Sequence, residues 1–121
     1  MNQLIPTYIL RVLFALPFMV FGALHFMNAE QMKRLVPPYF PGDGVIWVYI
    51  TGIIFILTAV AFIINKYAKA AGYLLAFVLL VFILTIHIPA LISGNQMAMS
   101  GLLKDFALMA GSMFIANFSA R

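Results

Sequence analysis

The sequence predicts an all-α membrane protein, a four-transmembrane-helix bundle with a short interfacial amphipathic segment between helices 1 and 2. Of the 121 residues, 65% are hydrophobic and 8% are charged, and the mean hydropathy is +1.10. This composition leaves too little charge to cover a water-soluble surface. Four apolar runs, at about 5–26, 46–64, 68–88 and 101–118, approach the roughly 20 residues that cross a bilayer. We therefore expect residues 1–121 to form a single membrane domain.

The first apolar run contains Arg11 and shows no small-residue cleavage site after a short apolar core. These features favour a retained helix over a signal peptide. Helical periodicity places Arg11, Gly22 and His25 on one face, with Arg11 a turn or two inside the membrane boundary. Arg11 either extends its side chain to the boundary, which the sequence slightly favours, or pairs inside the bundle.

The connection between the first two helices is the only long one. Met32, Leu35 and Val36 recur at helical spacing, and Asn28 followed by Gln31 has the pattern of a capping pair, so a short amphipathic turn is predicted. Proline then ends the turn, and aromatic residues follow it. We expect this segment to lie in the membrane interface with its rings at headgroup level, either as a lid over the end of the bundle or simply resting in the interface. Its residues are Lys33, Arg34, Pro37, Pro38, Tyr39 and Phe40.

The remaining helix boundaries also carry sequence signals. Asn65 and Lys66 close the second helix, and the short turn after them forces the second and third helices to be antiparallel neighbours. Pro89 predicts the end of the third helix, and Ser100 is the predicted N-cap of the fourth. The basic residues favour a cytoplasmic location for both termini. Arg11, Lys66, Lys69 and Arg121 lie towards one side, against Lys33, Arg34 and Lys104 towards the other.

Four crossings bring polar residues together at the end of the bundle that carries the 27–44 connection, which we call the loop end. Ionisable groups at membrane depth are costly and usually face the bundle interior, so we predict a ligand pocket there. The predicted ligand-binding residues are His25, His87, Lys104, Asp105 and Tyr49. An equally weighted alternative is that these groups reach headgroups and water at little cost, with Asp105 complementing its helix dipole.

Several functional classes are excluded or disfavoured. The seven Lys and Arg residues form no basic stripe, which argues against nucleic-acid binding, and the absence of Cys removes thiol chemistry and disulfides. The sequence contains no nucleophile–base pair, metal-ligand spacing or phosphate-binding loop, so we predict no metal and rank a self-sufficient enzyme third, after ligand binding and a structural role. One protonatable pair could still act as a proton relay, a hypothesis that ranks below ligand binding. His25 and His87 admit a bis-histidine haem, but no other haem signature supports one.

Several short motifs recur in order along the chain. They are Arg11 to Gly22 to His25-Phe26, Met32 leading to Val36-Pro37-Pro38-Tyr39 and Pro41, Tyr49-Ile50-Thr51-Gly52, and Leu103-Lys104-Asp105-Phe106-Ala107-Leu108. In this order the sequence resembles the DoxX-like family of small bacterial membrane proteins over nearly its whole length. Members of that family often carry a Glu one turn into the second helix, where this chain has Phe55. That difference argues against any activity that needs a carboxylate there.

The resemblance implies a four-helix protein of the bacterial cytoplasmic (inner) membrane. Relatives include the membrane subunit of thiosulfate:quinone oxidoreductase, and other members are proposed to assemble with redox enzymes. The leading hypothesis is an accessory subunit that docks a partner enzyme, or that presents a quinone or lipid held at its head by His25, His87 and Asp105. Any redox role would then run through a quinone-linked partner. The alternative is a purely structural subunit or homo-oligomer in the lipid bilayer, without ligand chemistry.

Overall fold

A computed structural model describes residues 4–120, and over this range the chain is helical, with no strand. Helix α1 spans Thr7–Met27, a short α2 spans Ala29–Met32, and α3 spans Gly44–Ile64. Then α4 spans Ala68–Phe82 and continues through a π-helical segment, Ile83–His87, into α5, Ile88–Ile92. The last helix, α6, spans Ala98–Asn117.

Four helices are long and apolar enough to cross a membrane: α1, α3, the continuous helix Ala68–Ile92, and α6. The predicted all-α four-helix membrane fold is therefore confirmed. All four predicted spans overlap these helices, and the largest difference is at the end of the third. That helix does not stop before Pro89, because α5 continues it to Ile92.

The bundle consists of two helix pairs. Helix α1 packs chiefly against α3, and α4 packs chiefly against α6. The first pair crosses at two glycines, since a Cβ on Gly22 would lie 3.0 Å from the carbonyl oxygen of Gly52. The second pair crosses at Gly72, whose carbonyl oxygen accepts a hydrogen bond from Ser112 Oγ at 2.7 Å. Small residues thus allow close approach of the backbones in each pair, as is usual in lipid, where there is little hydrophobic force between helices.

The core between the two pairs is apolar and aromatic. Phe62, Leu75 and Leu79 are among its largest fully buried side chains, and Phe18 and Phe55 meet edge-to-face at 5.3 Å between ring centroids. Such edge-to-face contacts stabilise aromatic pairs beyond the area they bury.

Two of the predicted caps are wrong. Asn28 does not cap α2 with its side chain; its Nδ2 donates to the carbonyl oxygen of Leu24 and so serves the last turn of α1. Ser100 lies inside α6, because Asn95 Oδ1 accepts from the backbone N–H of Met97 and helical geometry begins at Ala98. Asn65, by contrast, ends α3 as predicted, and the structure shows that it does so in left-handed geometry with φ 54°.

Candidate functional site

A pocket of about 440 Å³ lies between the two helix pairs at the loop end. Helix α1, the connection after it, and helices α3, α4 and α6 all contribute lining residues. Exposed side chains on α3 and α4, among them Ile50, Leu74 and Phe77, form part of the lining. The pocket therefore opens sideways on the apolar flank between these two helices, which faces the bilayer core in a four-helix membrane protein.

The lining is predominantly aromatic. Phe18 and Phe21 come from α1, Phe55 from α3, and Phe77 and Phe82 from α4. The Phe55 ring meets the Phe18 ring and the Phe82 ring edge-to-face, with centroids 5.3 Å and 6.2 Å away. Phe55 therefore contributes an apolar wall to the pocket.

His87 and Asp105 form the strongest polar pair of the pocket. The Nε2–H of His87 donates to Asp105 Oδ2 at 2.7 Å, and this contact ties the third membrane helix to the fourth. Asp105 is buried, with 6% of its surface exposed. The Cε1–Nδ1 edge of the imidazole lies against Gly101, where an added Cβ would be 3.0 Å from His87 Cε1. The burial and the partner of Asp105 show that it does more than complement a helix dipole at the membrane surface.

The π-helical segment determines where His87 points. Within it, the backbone N–H of Ile88 bonds to the carbonyl of Ile83, five residues back. Pro89 has no N–H to offer the carbonyl four residues before it, so regular α-helical bonding is interrupted here. The wider turn brings Thr85, Ile86 and His87 into the pocket lining. Single π turns inside helices occur frequently at functional sites.

His25 lies on the other helix pair and is also buried, with 9% of its surface exposed. Its Nδ1–H donates to the carbonyl oxygen of Phe21 at 2.7 Å, one helical turn back, because a carbonyl can only accept. The ring stands edge-to-face on Phe55, with centroids 5.1 Å apart. The predicted alignment of Arg11, Gly22 and His25 on one face of α1 is confirmed, since all three belong to its buried set.

Of the five predicted ligand-binding residues, four line the pocket: His25, His87, Lys104 and Asp105. The Nζ atom of Lys104 lies 5.9 Å from the centroid of the Phe21 ring, close enough for a cation–π contact. Tyr49 is not part of the lining. Its ring is exposed and stacks on Phe26 at 5.6 Å, because position 49 is on the outer face of α3.

The connection between α1 and α3 folds against the mouth of the pocket, and Pro37 and Phe40 are among its lining residues. Trp47 Nε1–H donates to the carbonyl oxygen of Pro41 at 2.8 Å, and Phe40 stands edge-to-face on the Trp47 ring. These contacts fix the connection onto the start of α3. The other predicted interfacial residues do not line the pocket: Pro38, Tyr39 and Arg34 are exposed, and Lys33 pairs with Glu30 at 3.5 Å.

Arg11 lies at the opposite end of the bundle, which we call the turn end because it carries the α3–α4 turn. The predicted extension of Arg11 to the membrane boundary is wrong, since only 7% of the residue is exposed. Its Nε–H donates to the carbonyl oxygen of Phe62 at 2.9 Å. That carbonyl belongs to the last turn of α3, where helix geometry leaves acceptors without intrahelical donors. Arg11 therefore caps a neighbouring helix from inside the bundle.

The other polar residues near the turn end do not gather around Arg11. Tyr73 donates to Asn117 Oδ1 at 2.6 Å on the outer surface, and Lys66 and Tyr67 border a separate groove between α3 and α4. Arg121 lies outside the described residues.

Some pocket residues were missed from the sequence. Trp47, Thr51 and Phe55 follow one another at a spacing of four on α3, a helical signal that could have identified this face. Thr85 could not have been placed in the same way, because the π-helical segment shifts the register of its helix.

The arrangement can hold an apolar ligand by its body and a polar head by the loop-end side chains. It is not suited to bis-histidine haem through two Nε2 atoms, because Nε2 of His87 is bonded to Asp105. Among residues 4–120, no group of three or more His, Asp or Glu side chains could hold a metal ion.

Comparison with known families gives one match. The sequence profile of a family described as a domain of unknown function (DUF8561) matches residues 14–110, from the first half of α1 to the second half of α6. A search of the curated proteins and a search of the solved structures gave no significant match. The matched region contains the whole pocket lining and most of the chain. The protein therefore belongs to the DUF8561 family.

Proposed function

We propose that this protein is a DoxX-like accessory subunit of the bacterial inner membrane that holds a quinone or a related lipid in the loop-end pocket and presents it to a partner enzyme. The observation that carries the proposal is the pocket itself, which joins an aromatic body to a few polar side chains and opens sideways towards lipid. Ligand sites are typically apolar cavities in which a small number of polar groups orient the ligand. The assignment to the DoxX-like family rests on the sequence resemblance alone.

The pocket suits an isoprenoid or acyl compound with a polar head. Entry through the flank between α3 and α4 would keep a hydrophobic tail in lipid throughout binding. The head would meet His25 on one side and the His87–Asp105 pair on the other, with the Pro37–Pro41 segment as its cover. In this proposal any redox reaction is performed by the partner enzyme, and the present chain supplies binding and orientation.

The second candidate function is structural. The contact between His87 and Asp105 joins the third and fourth membrane helices, and such a tie would serve a structural subunit or a homo-oligomer equally well. The volume of the pocket favours the ligand-binding proposal over this one, since a purely structural bundle has no need of a cavity of that size.

The basic residues also support an orientation with both termini in the cytoplasm. Arg11 is removed from the comparison because it is buried in the bundle, and Lys104 because it lies within α6 against Phe21. Lys66, Lys69 and Arg121 then stand against Lys33 and Arg34. The side with more Lys and Arg near the helix ends is normally the cytoplasmic one.

Purification from native membranes in a mild detergent, followed by mass spectrometry of bound proteins and extractable lipids, tests the proposed function. We expect a quinone or another ring-headed lipid at close to one per chain, together with a redox enzyme. In a variant carrying His25→Phe, His87→Phe and Asp105→Asn, the amount of compound bound per chain should fall at least tenfold, because the head loses its polar partners.

Tyr49→Phe is the matched control, because Tyr49 lies outside the pocket and Phe retains the stacking on Phe26. It should retain the compound at the level of the unmodified protein. A preparation that carries only bulk phospholipid and no partner would contradict the proposal and favour the structural candidate.

A further inference from the structure

The polar atoms of the pocket are unequally divided between hydrogen-bond donors and acceptors. Nδ1–H of His25 is committed to the carbonyl of Phe21. In a neutral imidazole with its proton on Nδ1, the other nitrogen, Nε2, can only accept. An imidazolium at this position would be costly, because the ring is buried against Phe55 in apolar surroundings.

Nε2 of His25 has no hydrogen-bond partner within residues 4–120. Over the same residues, every fully buried side-chain nitrogen or oxygen atom has a partner. Nε2 is therefore not sealed in the core; it borders open space, and His25 lines the pocket. A buried imidazole thus directs an unused acceptor into the cavity.

Two hydroxyl groups in the lining add to the imbalance. Thr51 Oγ1 donates its proton to the carbonyl oxygen of Trp47 at 2.9 Å, and Thr85 Oγ1 donates to the carbonyl oxygen of Val81 at 2.6 Å. Each hydroxyl is left with lone pairs and no free proton. Asp105 contributes carboxylate oxygens, and the Nε2–H of His87 is already bonded to one of them.

Lys104 is the exception. Its ammonium group is a donor, but the residue is exposed and its Nζ lies over the Phe21 ring at the edge of the pocket. The inner part of the pocket, around His25, Thr51 and Thr85, offers acceptors.

We infer that the pocket selects a ligand whose ring head donates a hydrogen bond, so that it binds the hydroxyl-bearing, hydroquinone-type form in preference to the carbonyl-bearing quinone. This inference rests on the proposed function and specifies which redox form of the ligand the protein holds. A carbonyl head would place its oxygen against Nε2 of His25. The carbonyl oxygen and Nε2 are both hydrogen-bond acceptors, so neither would gain a donor. A phenolic O–H satisfies Nε2 directly.

The test compares two probes that differ in one proton donor. A 4-alkylphenol and its O-methyl ether share the ring, the tail and the oxygen, but the ether has no O–H. Trp47 is the single tryptophan of the chain and lines the pocket, so its fluorescence can follow both titrations in detergent. We expect the phenol to bind about tenfold more tightly than the ether, the factor that corresponds to one well-placed hydrogen bond.

His25→Phe should abolish this preference, because Phe keeps a ring at the position and removes the acceptor. The carbonyl of Phe21 keeps its backbone helical bond in this variant, so no orphaned group is created. Tyr49→Phe, which changes a residue outside the pocket lining and retains the stacking on Phe26, should leave the preference intact. Partitioning of the two probes into detergent is the same for all variants. It therefore cancels when the ratio of phenol affinity to ether affinity is compared between variants.

A second measurement uses a decyl-benzoquinone and the matching hydroquinone kept reduced with dithionite, which cannot alter disulfides in a chain without cysteine. The hydroquinone should bind more tightly, again only while His25 is present. The inference would be overturned if the quinone bound at least as tightly as the hydroquinone and the ether at least as tightly as the phenol. The proposed function would still stand. Failure of all four probes to bind would overturn both.

Discussion

A buried guanidinium inside a membrane bundle is costly unless its hydrogen-bonding capacity is used. The Nε–H of Arg11 donates a hydrogen bond to a carbonyl oxygen at the C-terminal end of α3. This end is also the negative end of the α3 helix dipole. Two difficulties are thereby solved by one contact: the cation gains an acceptor, and the helix end gains a donor. The residue therefore acts as a structural cap at the end of the bundle away from the pocket.

Arg11→Leu is expected to destabilise the protein by about 1–3 kcal/mol, because the Phe62 carbonyl would remain buried without its donor. The midpoint of thermal unfolding in detergent measures the change. Lys66→Leu is the matched control, since Lys66 is an exposed cation at the same end and should unfold at the midpoint of the unmodified protein. A more stable Arg11→Leu variant would mean that the cost of burying the charge exceeds the value of the cap.

Individual residues also show how far the sequence could predict the site. The gathering of His25, His87, Lys104 and Asp105 followed from helix order alone. The ends of the first and third membrane helices and the start of the fourth must lie at one end of an up-and-down bundle. The hydrogen bond between His87 and Asp105 could not be predicted, since it depends on the rotation of each helix about its axis. Tyr49 was misplaced for the same reason.

At the scale of helices, the close crossing of α4 and α6 depends on Gly72. A Cβ at this position would lie 2.6 Å from Ala116 Cβ and 3.0 Å from the carbonyl oxygen of Ser112. Neither neighbour is the mobile end of a side chain, so the helices would have to separate. The hydrogen bond from Ser112 Oγ to the Gly72 carbonyl would then lengthen as well.

Gly72→Ala should therefore lower stability by about 1–3 kcal/mol, as overpacking of a tight contact usually does. Gly111→Ala provides the comparison, because the added Cβ there meets only the edge of the Phe14 ring at 3.3 Å. That substitution should be neutral or stabilise by up to about 1 kcal/mol through better helix propensity. Equal unfolding midpoints for the two variants would show that α4 and α6 are not packed at Gly72 as described.

Helix boundaries were predictable to within a few residues where composition changes sharply, as at Asn65 and Lys66. The end of the third helix was not, because Pro89 normally signals a stop and the π-helical segment before it allows the helix to continue. A local change of hydrogen-bond register leaves no compositional trace. The same segment explains why Thr85 was absent from the predicted site.

At the scale of the whole molecule, hydropathy was sufficient to predict four crossings, but it carries no information on which helices pair. The division into α1 with α3 and α4 with α6 coincides with the glycine crossings, and the pocket is lined by both pairs. The cavity is therefore a property of the assembled bundle and could not be predicted from the sequence pattern of any one helix.

The absence of cysteine allows the orientation of the whole molecule to be tested with single thiols. Tyr39 and Tyr67 lie at opposite ends and expose 72% and 74% of their surfaces. If the protein has the proposed orientation in the bacterial inner membrane, a membrane-impermeant maleimide added to cells with a permeabilised outer membrane should label Tyr39→Cys, and it should reach Tyr67→Cys only after lysis. The reverse pattern would show that the termini face outwards, and labelling of both positions before lysis would contradict the four crossings.

The sideways opening of the pocket between α3 and α4 has a consequence for how occupancy should be expressed. A ligand that arrives through this flank is drawn from the two-dimensional solution of the bilayer, so its mole fraction among lipids, rather than its aqueous concentration, sets occupancy. Each methylene of its tail contributes about 0.8 kcal/mol to partitioning into the membrane. Lengthening the tail would therefore raise the apparent affinity measured from water and leave the binding equilibrium within the membrane nearly unchanged. Only the head group would then determine which ligand the pocket selects.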